Sequence, residues 1–587
     1  MRKRLFAAVV AAAMACSTVT PAAAPEDGVS SKDGLVVCTS APACDAGAAV
    51  LAKGGNAVDA AVATAFALAV TLPSAGNIGG GGFMVVRTAG GDVTTFDYRE
   101  KAPLKSTRTM YMRNGKVEGA LTNQGYLAPG VPGTVRGLAM AHKKFGKLPW
   151  KDVVMPGVLL AENGFVLSAA LARGLNSQLF PTEREGTSTG GVMGKYPASV
   201  EAYGKPGGAR WAAGDRIVLK DLGKSLRAIA TDGPDAFYKG WIADRIAEDM
   251  AANGGLITKA DLAAYEAKER APLRGTFRGF DIISMAPPSS GGVALIEMLN
   301  MLEGRDLKSK GFGSPEAKHL MIEAMRRAYL DRARHVGDPD FVEVPIAKLL
   351  SKEHARDAAS SIDPAKASSS LELGKDIVTT VAQEPDETTH FSVIDRDGMA
   401  VSQTFTLEGG YGSRVVVKGA GFILNNEMGV FNKNPGKTLP DGTIGTPANL
   451  IDPGKRMLSS MTPTIVTKDG KVVLITGSPG GRTIINTVFT IVFATTEFGM
   501  NVREAVDAPR MHHQWLPDSV TIERSGAADD LVARLTAMGH TVKTATAQGD
   551  ANSIGVDAAG VAWGAADKRT ADGKASVPGL TATAGRR

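Results

Sequence analysis

Residues 388–407 read TTHFSVIDRDGMAVSQTFTL, two alternating runs on either side of an Asp395-Arg396-Asp397-Gly398 turn. Period-two alternation around such a turn predicts a β-hairpin. With Arg396-Asp397 at the turn centre, residue 388 faces residue 405; with Asp397-Gly398 it faces residue 407. Either way Thr406 comes within one residue of Thr388. The preceding stretch, DPAKASSSLELGKDIVTTVAQEPDE over 363–387, is rich in Ser, Lys, Asp and Glu and lacks core periodicity, so it is expected to be an exposed, mobile tail. An exposed segment ending in Glu387 therefore abuts a strand that begins Thr388-Thr389-His390.

A threonine hydroxyl is a weak nucleophile. One way to activate it is to make it the first residue of a chain, where its own α-amine serves as base. Such an amine titrates at about 7.7–8.0, close to working pH. Cleavage between Glu387 and Thr388 creates that terminus; on composition alone, Thr-Thr more simply starts a strand.

Downstream, a third strand is expected over Gly421 to Leu424, leading into NNEMGVF, and a further pair over Thr464 to Thr467 and Val472 to Thr476, ending in GSPGG. These strands bring Thr, Asn/Glu and Gly-rich turns toward one edge. Upstream, the stretch from Ala46 reads as a helix broken at Gly54-Gly55, then a second helix from Ala57 to Val70 that is apolar on nearly every face and so is buried. The run GNIGGGG turns the chain into strands at Phe83 to Arg87 and Val93 to Tyr98. Residues of about 105–380 carry mostly polar helical patterns, such as Pro315 to Ala333, and are expected to form a helical layer with connecting loops.

The 587 residues are enough for a sizeable core. The 69 Gly and 30 Pro are about one residue in six, below the low-complexity range. Lys and Arg number 66 against 60 acidic residues, and Arg2, Lys3 and Arg4 lie in a leader, so the small excess argues against nucleic acid as a partner. That leader has an apolar run from Leu5 to Ala15 and small residues through Ala24, the pattern of a secretory signal and too short to span a bilayer. Soluble export after residues 1–24 is preferred to lipid attachment at Cys16, which lacks the Leu of a lipoprotein box. Cys38 and Cys44 then remain, either as one disulfide or as two thiols.

The motifs TTHFSVIDRDGMAV, LNNEMG, RMLSSMTPT, TGSPGG and APRMHHQWLPD, in this order, resemble the small subunit of γ-glutamyltransferases, which are self-cleaving N-terminal-nucleophile hydrolases. GGNAVDAAVA, GNIGGGGFM and DYREKAP resemble the large subunit, so the likeness runs from about Gly34 to beyond Gly555. It implies an α+β fold, a four-layer αββα sandwich, and a precursor that splits into a large subunit, 25–387, and a small catalytic subunit, 388–587. The same likeness makes Thr388 the self-processing and catalytic nucleophile, with Thr406 hydrogen-bonding near it. Gly480 and Gly481 match the pair whose N–H groups face the oxyanion. Arg99 and Ser459 match positions that grip the substrate α-carboxylate, while Ser460, Glu408 and Glu427 line the α-amino side.

One departure stands at Gly429-Val430, where the family usually places acidic residues and uses the second to bind the substrate ammonium. Val430 cannot do so. Glu408 and Glu427 hold carboxylates where many relatives have amides and are the candidates to replace it. The segment from Phe431 to Lys455 is as long as a family lid, but no Tyr follows Tyr411.

Competing motifs are weaker. Gly79 to Gly82 lacks a following Lys-Ser/Thr, and TGSPG lacks the first Gly of a serine-hydrolase elbow. His512-His513 has no helical partner spacing, so no metal is expected, and no cofactor either. The expected function is an exported, periplasmic or secreted enzyme, a heterodimer of its own two fragments. It passes the acyl group of a γ-glutamyl amide such as glutathione to water or an amino acid. The alternatives are an amidase for another acyl group, glutaryl or a β-lactam side chain, and an uncleaved, inactive periplasmic binding relative.

Overall fold

A computed structural model describes residues 28–184, 187–377 and 388–579. Glu387, the end of the 363–387 stretch and the leader with Cys16 lie outside these residues. Two seven-stranded, wholly antiparallel sheets form the centre. The first runs in the order Lys268–Arg270, Val93–Tyr98, Gly81–Arg87, Ala400–Thr406, Thr389–Asp395, Gly34–Cys38, Lys574–Ser576. The second runs Val29–Ser31, Ala562–Ala565, Ser553–Val556, Lys471–Thr476, Thr464–Lys468, Phe280–Ser284, Leu273–Phe277.

Three apolar layers hold the sandwich together. Between the sheets lie Leu35, Val37, Val85, Ile394, Ile465 and Ile475. Outside the first sheet pack the helices Ala41–Ala52 and Ala57–Thr71, every residue of the latter buried. Outside the second pack Gly291–Leu302, Pro315–His335 and Thr483–Phe498. The architecture is thus the expected four-layer αββα sandwich, with mixed helix and sheet content.

The hairpin of residues 389–406 lies in the middle of the first sheet, and all of its strand residues are buried. Its alternation separates two covered faces rather than a wet and a dry one. Phe391, Val393, Val401 and Phe405 join the core beneath the outer helices. The intervening polar residues face the other sheet and bond to it: Ser392 Oγ donates to Asn552 O at 2.7 Å and Ser402 Oγ to Thr476 O at 2.9 Å.

Two expectations need correction. The 105–380 segment is not only a helical layer, because Lys268–Arg270, Leu273–Phe277 and Phe280–Ser284 join the two sheets. Residues 421–424 form no strand: they fold back on residues 413–417 with one isolated bridge, Val416 to Ile423, while Gly419 and Gly421 turn at φ +73° and +77°. The described part of the 363–387 stretch is largely exposed, as expected, and is anchored at Ser370. Ser370 is buried, its N–H donates to Asp518 Oδ2 at 2.8 Å, and Trp515 Nε1 donates to its carbonyl at 2.7 Å. Ser369, though exposed, also caps the short helix Ser370–Leu373. Cys38 and Cys44 are joined by a disulfide, the first of the two alternatives.

Candidate active site

The register Thr389 to Phe405 brings Thr388 opposite Thr406, and the Thr388 hydroxyl donates to Thr406 Oγ1 at 3.3 Å. Thr406 Oγ1 also accepts the Glu408 N–H at 2.8 Å. Glu408 holds φ +80°, a left-handed backbone that a side-chain-bearing residue adopts only when its surroundings enforce it. Thr388 lies where two cavities meet, a narrow one of about 70 Å³ and a wide one of about 830 Å³.

Gly480 and Gly481 stand across the junction, Gly481 lining the narrow cavity and Gly480 the wide one. They follow the strand Lys471–Thr476 and precede the helix Thr483–Phe498. At φ +126° and +52° both adopt backbones that glycine tolerates. Their N–H groups take no part in the backbone hydrogen bonds among the described residues, and the helix start beside them adds a favourable dipole for a negative oxygen.

The narrow cavity is built around Arg99, the residue after the strand Val93–Tyr98. Its guanidinium is buried, donates to Met457 O at 3.3 Å and Leu458 O at 3.1 Å, and lies 3.3 Å from Glu100 Oε2 and 2.7 Å from Glu427 Oε2. Burial opposes the Arg99 charge, but Glu427 and Glu100 outweigh it and raise its pKa. Burial, then Glu427, raises Glu100 well above the carboxylate range. Burial also raises Glu427, with Arg99 opposing. Of the two carboxyls, Glu100 is raised the further and Glu427 lies the nearer to the guanidinium. Glu427 Oε1 has no hydrogen-bond partner among the described residues.

Two asparagines fix Glu427. Asn425 Nδ2 donates to Gly79 O and Gly130 O, both at 2.8 Å, while its Oδ1 accepts from Gly130 N and Glu427 N. Asn426 Oδ1 accepts from Gly409 N at 2.9 Å, tying this loop to the one after Thr406. The Gly-rich turn is thus a support for the NNE motif, which explains its buried glycines: a Cβ on Gly79 would stand 2.1 Å from Ile423 O. Ser459 and Ser460 line the same cavity. Ser459 Oγ accepts from Met461 N at 3.1 Å, and Ser460 Oγ accepts from Arg332 Nη2 at 3.1 Å. Val430 also lines it, and its side chain brings no charge.

The sequence reading missed Glu100, Arg332, Arg482 and Asn449, which border or support this cavity. Arg332 sits on the helix Pro315–His335, whose polar pattern gave no sign that it reaches the site. Also missed was the cluster behind Thr388. Thr39 Oγ1 donates to Asp550 Oδ2 at 2.8 Å and lies 3.4 Å from Thr389 Oγ1. Burial, with Asp567 adding, raises Asp550 to about 6. The nearest imidazole along the chain, His390, has Nδ1 2.9 Å from Thr404 Oγ1 and Nε2 3.2 Å from Ser392 Oγ, and burial lowers its pKa to about 3. His512 and His513 are likewise buried, each lowered to about 4 chiefly by burial.

The family model described as gamma-glutamyltranspeptidase matches residues 43–577. A glutathione hydrolase proenzyme of Escherichia coli K12 is 45% identical, over 93% of this chain and 92% of its own. The acylase ACY 1 proenzyme of Pseudomonas sp. SE83 is 37% identical, over 94% and 95%. Among solved structures, the cephalosporin acylase of Bacillus halodurans superposes with a TM-score of 0.81 at 26% identity, covering 96% of this chain and 99% of that one. Helicobacter pylori gamma-glutamyltranspeptidase gives 0.53 at 44% identity, covering 56% and 91%.

Proposed function

The chain belongs to the gamma-glutamyltranspeptidase family, and from that premise we propose that Thr388, freed by self-cleavage after Glu387, attacks the γ-carbonyl of a γ-glutamyl amide such as glutathione. The observation that carries this reading is Thr388 at the junction of two cavities, with Thr406 on one side and Gly480-Gly481 on the other. The hydroxyl proton passes to the Thr388 α-amine as Oγ bonds to the carbonyl carbon. The Gly480 and Gly481 N–H groups hold the resulting oxyanion. Collapse expels the amine of the substrate with that proton and leaves a threonyl ester. Water, or the amine of an amino acid, then attacks the ester and restores Thr388. His390 is no base in this scheme, because its ring nitrogens face the hydroxyls of Thr404 and Ser392 rather than Thr388, and burial makes it a weak base.

In the narrow cavity, Arg99 and Ser459 receive the substrate α-carboxylate, Ser460 lines its α-amino side, and Glu427 Oε1 and Glu408 receive the ammonium in place of the acid that Val430 lacks. A second reading, an acylase for a donor without the ammonium, draws on that valine and on the likeness to the cephalosporin acylase. The retained, buried Glu427 beside Arg99 favours the first.

The leader 1–24 exports the chain to the periplasm or beyond; no helix among the described residues is long and apolar enough to cross a membrane. After cleavage the fragments stay together as a heterodimer, since each sheet pairs strands from both sides of residue 387. The test is release of aniline from a γ-glutamyl anilide, with and without an amino-acid acceptor. Turnover lost in Thr388→Ala supports the reading; turnover retained there overturns it.

A further inference from the structure

Three helices on the outer face of the second sheet, Gly291–Leu302, Pro315–His335 and Lys352–Ser360, each bring one metal-ligating side chain to a common point. These are Glu297, Asp331 and His354, and one ligand atom from each lies within 4.8 Å of the others. Glu297 is only 2% exposed, and neither of its carboxyl oxygens has a hydrogen-bond partner among the described residues. A buried carboxyl with no partner is costly and rare enough to need a reason. Its nearest ligating neighbours are the other two side chains, His354 Nε2 lying 2.7 Å from Asp331 Oδ2. Asp331 and His354 keep 16% and 22% of their side chains exposed, which leaves an ion a way in.

We propose that Glu297, Asp331 and His354 form a binding site for a divalent transition metal of the zinc class, pinning the three helices together. Two carboxylates and one imidazole are a donor set that suits zinc, with a water in the fourth position. Calcium and magnesium demand more oxygen ligands than the cluster offers. Ligand atoms on one tetrahedral zinc stand roughly 3.3 Å apart, so the His354–Asp331 contact opens by about half an ångström as the ion replaces the shared proton. The imidazole N–H then moves from Nε2 to Nδ1, which frees the Nε2 lone pair. Arg334, with Nη1 3.8 Å from Asp331 Oδ1, is the nearest cation paired with the cluster among the described residues.

A second cluster, His319, Glu323 and His540, is as compact, but its carboxylate is already answered. Glu323 takes Arg326, Arg327 and the Ser368 N–H, and His319 uses one nitrogen on Asp363 O and the other on His540. Only His540 Nδ1 lacks a partner there among the described residues, and no carboxylate of that cluster is unpartnered.

The test uses the full, processed protein, stripped with a chelator, dialysed against Zn²⁺ and then against metal-free buffer. We expect about one retained zinc per chain, a higher melting temperature with zinc, and a visible d–d absorption when Co²⁺ replaces it. Glu297→Gln and His354→Gln should each weaken zinc binding at least about tenfold and remove the thermal gain. Metal-free Glu297→Gln should melt at or above the metal-free parent, since it removes a buried acid without a partner. The proposal is overturned if the parent retains no zinc, or if both variants retain it as the parent does.

Discussion

Glu427→Gln separates recognition of the substrate ammonium from everything else the narrow cavity does. The carboxylate is fully buried, with Oε2 2.7 Å from Arg99 Nη2 and Oε1 without a hydrogen-bond partner among the described residues. Losing a charge-assisted contact to the ammonium costs about 1.5 to 3 kcal/mol, or roughly a 10- to 150-fold rise in KM. The contact is made equally in the ground and transition states, so kcat changes little. Arg99 is not orphaned, because Met457 O, Leu458 O and Glu100 remain within 3.3 Å. The fold should therefore survive, and any residual effect through Arg99 acts on the α-carboxylate. A glutaryl anilide keeps that carboxylate and lacks the ammonium, so it serves as the control. The ratio of the two substrates' responses isolates the coupling between the residue 427 charge and the ammonium. The assay is kcat/KM for γ-glutamyl and glutaryl anilides in parent and variant. Equal values for both substrates in the parent, or an equal loss for both in the variant, would refute the reasoning.

Thr406→Ala removes an acceptor for both Thr388 Oγ1 and the Glu408 N–H; self-cleavage and turnover should each slow by about 1 to 2 kcal/mol, roughly five- to thirtyfold, and parental rates on a timed gel and in the anilide assay would contradict this. Val430→Asp should change γ-glutamyl turnover less than about threefold, because Glu427 and Glu408 already supply the negative charge; a large selective gain would mean that the ammonium has no partner in the parent. Glu323 is lowered to about 2, burial opposing but Arg326, Ser368 and Arg327 prevailing. A carboxylate depressed on folding stabilises above its unfolded value of 4.5 and loses that contribution as pH falls from 4.5 through 2. Glu323→Gln should thus lower stability by about 3 kcal/mol near pH 6 and by little near pH 2.5; parallel urea midpoints for parent and variant across that range would refute the assignment.

The hairpin was legible because its alternation and turn are local, and the observed register places residue 388 opposite 406, between the two arithmetic alternatives. The buried Ala57–Thr71 helix was legible for the same reason, its apolar character being continuous. The helix Pro315–His335 was read as polar and is nevertheless largely buried, since its charges are answered by distant residues: Arg326 by Asp518, Arg327 by Ser361 and Ser368, Arg332 by Ser290 and Ser460. No periodicity reports partners 34 to 192 positions away. Composition likewise gave no sign that Ser369 caps a helix or that Ser370 is buried with its hydroxyl against Arg326. Around Arg99, the family motif pointed to the arginine and to Glu427, but only the fold shows that they face each other and that Glu100 shares the pair.

The account rests on Thr388 becoming a chain terminus, and the mass and N-terminal sequence of the purified fragments test that most directly. The parent should yield two polypeptides, the smaller beginning Thr388-Thr389-His390, and Thr388→Ala should yield one. A single uncut parent chain, a small fragment with another first residue, or full cleavage of the alanine variant would contradict it.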